Sequence, residues 1–127
     1  MVSLETEATV LIADDEPSMR LLVHTTIESD EYQVAEVADG DEAWAFIKRH
    51  KPQLVLLDIQ MPGRNGLEIL RSIRSDPSLA GTRVIMLSAK ALVADVEAGM
   101  AAGADFYLTK PFSPLELLNR VADALEM

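Results

Sequence analysis

Cysteine is absent from all 127 residues. Disulfides, thiolate nucleophiles and Cys-ligated zinc or iron–sulfur sites are thereby excluded, and a reducing cytoplasm is the expected compartment. Basic side chains are scarce: eleven against twenty-one acidic ones give a formal charge of −10 and a pI near 4.5. Such a field repels nucleic-acid backbones and anionic membranes, so neither is expected as a direct partner; a divalent cation or a partner with a basic patch fits better. An acidic surface serving only solubility is the alternative on charge alone. No apolar run approaches the ~18 residues that a bilayer span requires. The N-terminal stretch Met1-Val2-Ser3-Leu4-Glu5-Thr6-Glu7 lacks the basic and apolar segments of a signal peptide. Proline and glycine are few, six of each, while 49% of residues are hydrophobic. One ordinary globular domain over residues 1–127 follows, with a core at about 9–125 and a flexible lead-in at 1–8.

Short apolar runs alternate with amphipathic segments of helical length. The runs lie at 10–13, 32–37, 54–57, 84–87 and 106–108, and at least three show no polar alternation, as expected of strands covered on both faces. Helices are predicted at about 17–29, 41–50, 66–75, 92–102 and 114–126. The last is the best marked: Ser113 can cap, Pro114 suits the first helical position, Glu116 completes a capping box, and Leu118, Val121, Ala122 and Leu125 form the expected buried stripe. Fivefold strand–helix alternation implies an α/β fold, an open doubly wound parallel sheet with right-handed crossovers.

In such sheets ligands bind beyond the carboxyl ends of the strands. Asp14 and Asp15 follow the first strand, Asp58 ends the third, Ser88, Ala89 and Lys90 follow the fourth, and Thr109, Lys110 and Pro111 follow the fifth. Three carboxylates, a hydroxyl and an ammonium thus converge on one edge. Two carboxylates ~5 Å apart repel by about 3 kcal/mol at an effective dielectric of about 20, so three together call for protonation or a cation. A hard divalent ion held by one or two carboxylates answers that need. Taken singly, each residue has a plainer reading: Asp14 or Asp15 could cap the helix that Pro17 begins, Asp58 could form a turn, Lys110 could snorkel to solvent, and Ser88 could be an ordinary strand-end hydroxyl.

Four motifs in order and spacing give the chain a family resemblance: Leu11-Ile12-Ala13-Asp14-Asp15-Glu16-Pro17, then Leu56-Leu57-Asp58-Ile59-Gln60-Met61-Pro62-Gly63 with Gly66, then Met86-Leu87-Ser88-Ala89, then Gly103-Ala104-Asp105-Phe106-Tyr107-Leu108-Thr109-Lys110-Pro111-Phe112. From about Thr9 to Leu125 the chain resembles a chemotaxis-type response-regulator receiver domain of two-component signalling. The resemblance implies a flavodoxin-like (βα)5 sheet of strand order 2-1-3-4-5. It implies that Asp58 accepts a phosphoryl group from a sensor histidine kinase, a phosphotransfer protein or a small phosphodonor. It further implies Mg²⁺, or Mn²⁺, bound by Asp15, Asp58 and the backbone carbonyl of Gln60, with Asp14 acting through a water. Lys110 and Ser88 would contact the phosphoryl oxygens without needing to touch the nucleophile, and Ser88 with Tyr107 would form the switch. The resemblance also implies that Gln60 and Lys90 occupy the positions that tune dephosphorylation.

An output partner, or a second copy on activation, is expected on the surface made by the fourth helix, fifth strand and fifth helix. Receivers that dimerise there through charged pairs commonly carry an acid where this chain has Phe106, which leaves Arg120 without that partner. His24 and His50 fall on helix patterns away from the strand ends and read as surface residues. The domain is expected to be not an enzyme but a phosphoacceptor switch that assists its own phosphorylation and dephosphorylation. A receiver belonging to a larger regulator or hybrid kinase is the alternative setting. A Mg²⁺-dependent phosphohydrolase of the haloacid-dehalogenase type is the competing enzyme class, but its Asp-x-Asp after the first strand is missing because Glu16-Pro17 follow Asp15. A flavodoxin-like cofactor binder would need a Ser/Thr/Gly-rich phosphate loop there, also missing.

Overall fold

The apolar runs become five parallel strands: β1 (Ala8–Ala13), β2 (Tyr32–Val37), β3 (Leu54–Leu57), β4 (Arg83–Ser88) and β5 (Phe106–Thr109). Five helices connect and complete them: α1 (Pro17–Ile27), α2 (Gly40–His50), α3 (Gly66–Ser75), α4 (Val93–Ala101) and α5 (Pro114–Glu126). The computed structural model describes residues 8–127. The flexibility expected of 1–7 therefore lies outside the described residues, whereas Ala8, also assigned to that lead-in, is the first residue of β1 and pairs with Tyr32.

The sheet order is β2-β1-β3-β4-β5. Pleating divides the core by strand parity. Val10 and Ile12 of β1, Leu54 and Leu56 of β3, and Ile85 and Leu87 of β4 meet Val23 and Ile27 of α1 and Leu117, Val121 and Ala124 of α5. The alternate residues, Leu11, Val55, Leu57, Val84 and Met86, meet Ala43 and Ile47 of α2 and Ile69, Leu70 and Ile73 of α3. Burial on both faces explains why β1, β3 and β4 lack polar alternation.

Three details depart from the sequence reading. Ser88 and Thr109 are the last residues of β4 and β5, not the residues after them. A 3-10 turn at Pro77–Leu79, capped by Asp76, was not anticipated. On α5 the buried stripe is Leu117, Val121 and Ala124; of the expected set Val121 is buried, but Leu118 is 41% exposed. Apolar residues at 115, 117, 118, 121, 122, 124 and 125 cover most of that helix, so periodicity alone leaves its phase open. The Ser113 cap is present: its Oγ accepts the Glu116 N–H at 2.9 Å.

At the carboxyl-terminal edge, Arg64, in the loop between β3 and α3, lies over the ring of Trp44 at 5.1 Å, with Lys48 at 5.5 Å. At the opposite edge of the sheet, Arg74 of α3 donates to the carbonyls of Gly103 (2.9 Å) and Thr82 (2.6 Å) and to Asp105 Oδ2 (2.9 Å), which also accepts the Val84 N–H.

Candidate functional site

Strand order reverses around β1 and β3, which opens a crevice beyond their carboxyl ends. Asp14 and Asp15 leave β1 there and Asp58 leaves β3, its N–H donating to the Ala13 carbonyl at 3.0 Å. Asp14 is not a helix cap. Its Oδ1 accepts the Glu16 N–H at 2.9 Å and so shapes the turn before α1, whose N-cap, Glu16, makes no side-chain cap bond. Asp58 Oδ1 similarly accepts the Gln60 N–H at 3.2 Å. Carboxylate oxygens of Asp14, Asp15 and Asp58 lie within 4.8 Å of one another; Asp14 and Asp58 are buried and Asp15 is exposed.

Lys110 enters from β5, its peptide bond to Pro111 in the cis form. Its Nζ donates to Asp14 Oδ2 at 2.7 Å and to Asp58 Oδ2 at 3.1 Å. The family resemblance does not require this lysine to touch the nucleophile, yet here it contacts Asp58 directly. The reason is electrostatic, since two buried carboxylates side by side need a cation. Burial works against the Lys110 charge, yet the hydrogen bond to Asp14 and the Asp58 charge outweigh it and hold the ammonium above the usual lysine range. Burial pushes the Asp58 carboxyl up; Lys110 only partly reverses this, and the Asp14 charge adds to it.

Ser88, 1% exposed, closes a third side; its Oγ accepts the Lys90 N–H at 3.1 Å and its carbonyl the Lys110 N–H at 2.8 Å. Tyr107 lies farther out, with its hydroxyl donating to the Lys90 carbonyl at 2.7 Å. Burial raises the Tyr107 pKa. The Gln60 and Lys90 side chains, with Asp15, Met61, Pro62, Asn65 and Leu67, line an adjoining cavity of about 610 Å³. Gly66 fits the acceptor loop closely: a Cβ there would lie 2.2 Å from the Asp58 carbonyl oxygen.

Sequence reasoning missed Arg20. Its Nη1 donates to the Asp14 carbonyl at 2.7 Å and its Nε approaches Glu36 at 3.4 Å, while His24 Nδ1 meets the same carboxylate at 2.5 Å. The available signal was its place on α1, six residues after Asp14, which turns it back toward that loop. His50 packs against Phe46, away from the site as expected. Phe106 takes the Arg120 guanidinium over its ring at 5.3 Å, and Arg120 Nη2 reaches Asp123 at 3.3 Å.

Residues 10–122 match the response regulator receiver domain. The chain belongs to the response-regulator receiver family. Among its relatives is the DNA-binding response regulator MtrA of Mycolicibacterium smegmatis, 38% identical over 112 residues, covering 88% of this chain and 48% of the relative. This receiver thus spans about half the length of the curated relatives it matches. Among solved structures, the receiver domain of Francisella response regulator 1452 superposes with a TM-score of 0.86 at 32% identity over 94% of this chain and 98% of that one. Chemotaxis response regulator CheY4 of Vibrio cholerae gives 0.85 at 32% identity over 94% and 100%. Receivers of this family typically bind Mg²⁺ at an acidic cluster, and this one has such a cluster. No helix among the described residues is long and apolar enough to cross a membrane.

The donor set suits a hard divalent ion: oxygen ligands only, with three carboxylates against one ammonium. Asp15, the exposed member, is the decisive test. Replacing it with Ala is expected to lower Mg²⁺ affinity by at least about tenfold in a calorimetric titration; unchanged affinity would remove it from the ligand set.

Proposed function

We propose that this receiver is a phosphorylation-activated switch with Asp58 as the phosphoacceptor. The observation that carries the reading is the convergence of Asp14, Asp15, Asp58 and Lys110 beyond the ends of β1, β3 and β5. An Asp58 oxygen attacks the phosphorus of a phosphohistidine on a sensor kinase or phosphotransfer protein, or of a small phosphodonor; the new P–O bond forms as the bond to the leaving group breaks. Asp15, Asp58 and the Gln60 carbonyl would hold Mg²⁺ or Mn²⁺, with Asp14 acting through a water, and the bound ion supplies charge neutralisation and alignment of the phosphoryl group. Lys110, already ion-paired with Asp58, moves its ammonium onto a phosphoryl oxygen, and Ser88 donates to another. Gln60 and Lys90, flanking the same opening, set how readily water reaches the product.

Phosphorylation then shifts the preferred conformer through Ser88 and Tyr107 and alters the α4–β5–α5 surface, where an output partner binds. Coupling of this kind is usually about 1–3 kcal/mol. Because Phe106 and Asp123 occupy Arg120, a hetero-partner or a dimer of different geometry fits this face better than a charged-pair dimer. The receiver acts as a single unit over residues 1–127, in the cytoplasm, as a switch and not as an enzyme on other substrates. Incubation with acetyl phosphate and Mg²⁺ is expected to add one labile phosphoryl group at Asp58, read by mass spectrometry; stoichiometric labelling elsewhere, or labelling indifferent to Mg²⁺, defeats the assignment.

Gly99 of α4 bears on the switch. A Cβ there would lie 2.8 and 2.9 Å from Cδ2 and Cε2 of Tyr107, so the present Tyr107 orientation depends on a residue without a side chain. In Gly99→Ala, a helix-propensity gain of up to about 1 kcal/mol opposes an overpacking cost of about 1–3 kcal/mol. A net stability loss of up to about 2 kcal/mol is expected, while Tyr107 leaves its hydrogen bond to Lys90. Unaltered Tyr107 ring resonances in NMR spectra of the variant would separate Gly99 from the switch.

A further inference from the structure

We infer that the groove between the carboxyl-terminal ends of α1 and α5 docks a partner's amphipathic segment bearing lysine or arginine beside its apolar residues. The residues expected as the buried stripe of α5 form one wall of this groove, which encloses about 470 Å³. Its floor is the buried pair Ile27 and Val121; Leu118, Ala122 and Leu125 stand above it, with Leu118 41% exposed. Helix α5 therefore has two apolar stripes that share Val121: residues 117, 121 and 124 are buried in the core, whereas on the other stripe Leu125 only partly packs against it and Leu118 stays exposed. The Tyr32 hydroxyl bonds the Ile27 carbonyl and ties the start of β2 to the end of α1, so the opposite wall is preformed.

Charge selects the occupant. Among the described residues, Glu28, Glu31 and Glu126 line the groove and no lysine or arginine does. A second copy docking through the same face would set these carboxylates against their equivalents, since a twofold contact pairs a patch with itself. An anionic lipid surface is repelled for the same reason. A basic amphipathic segment satisfies both parts: apolar side chains cover Leu118 and Leu125, and cations meet the rim. The groove lies at the amino-terminal edge of the sheet, opposite Asp58, so docking leaves the phosphoacceptor edge open and does not depend on the proposed phosphorylation.

The test is an NMR titration of the whole chain with a short amphipathic leucine–lysine peptide, with a leucine–glutamate peptide of equal length as control. Shifts are expected to cluster at 27–32 and 118–126 for the lysine peptide alone. Leu118→Ser should weaken binding about tenfold and Glu28→Gln/Glu31→Gln about threefold or more, with Asp58→Asn binding like the parent. Shifts centred on Asp14, Asp15 and Asp58, equal binding of the glutamate peptide, or self-association abolished by Leu118→Ser would each overturn the proposal. Should Leu118→Ser fail to fold, the double glutamine variant decides it: undiminished binding of the lysine peptide to that variant overturns the proposal as well.

Discussion

Asp58→Asn is expected to abolish phosphoryl incorporation from acetyl phosphate and, in the absence of divalent cations, to make the protein more stable. The first effect follows from loss of the attacking carboxylate, the second from the burial of its charge. Burial holds the Asp58 carboxyl above its ordinary range despite the Lys110 ammonium at 3.1 Å, so an ionised Asp58 costs the folded state more than the pair returns. Asparagine is close in shape and carries no charge, and Lys110 keeps Asp14 at 2.7 Å. We expect a gain of about 1 kcal/mol, roughly 3–5 °C in Tm for a domain of this size. The pH dependence follows from the sign of the shift. Where the folded pKa exceeds the unfolded one, the folded state binds the proton more tightly, so stability falls as pH rises from the ordinary aspartate range through the raised Asp58 value. Asp58→Asn should flatten that part of the stability–pH curve. Chemical denaturation at several pH values in a metal chelator checks it; a lower stability for Asp58→Asn at neutral pH would mean that the pair with Lys110 outweighs the desolvation of Asp58.

Arg74→Ala is expected to cost about 3 kcal/mol, the range for removing a hydrogen-bonded, partly buried charge that leaves carbonyls and a carboxylate behind. One guanidinium serves three partners: it joins α3 to the turn before β4 through Thr82, to the turn before β5 through Gly103, and to Asp105. Lysine cannot reproduce a planar fork with three such directions, so Arg74→Lys should recover less than half of the loss. Because these partners lie at the amino-terminal edge of β4 and β5, Mg²⁺ affinity and phosphoryl incorporation of the folded variant should match the parent. Urea unfolding gives the first quantity and mass spectrometry the second. A cost under 1 kcal/mol would show that water replaces the guanidinium at little penalty.

The sheet was legible because its central strands are buried on both faces, which leaves uninterrupted runs such as Leu54-Val55-Leu56-Leu57. Site residues at strand ends were legible for the same reason: once β1, β3 and β5 are placed, Asp14, Asp58 and Lys110 fall on one edge. The contact of Lys110 with Asp58 was not, because the resemblance describes a phosphorylated site and the free site must neutralise its own carboxylates. Arg74 was invisible, with partners 8, 29 and 31 residues away and no local pattern to mark them. The phase of α5 failed because a helix with apolar residues at 115, 117, 118, 121, 122, 124 and 125 offers two stripes to a one-sided core.

The placement of Trp44 supplies the receiver with a built-in optical probe. It is the sole tryptophan of the chain, and one of the two cations over its ring, Arg64, belongs to the loop that leads from Asp58 to α3. The indole excited state is sensitive to a charge at 5.1 Å, so any rearrangement of that loop changes emission intensity without a label, a cofactor or an engineered residue. Stopped-flow fluorescence on the unmodified chain can therefore time events at the acceptor loop, and Arg64→Gln, which removes the loop's cation and leaves only Lys48 over the ring, supplies the control.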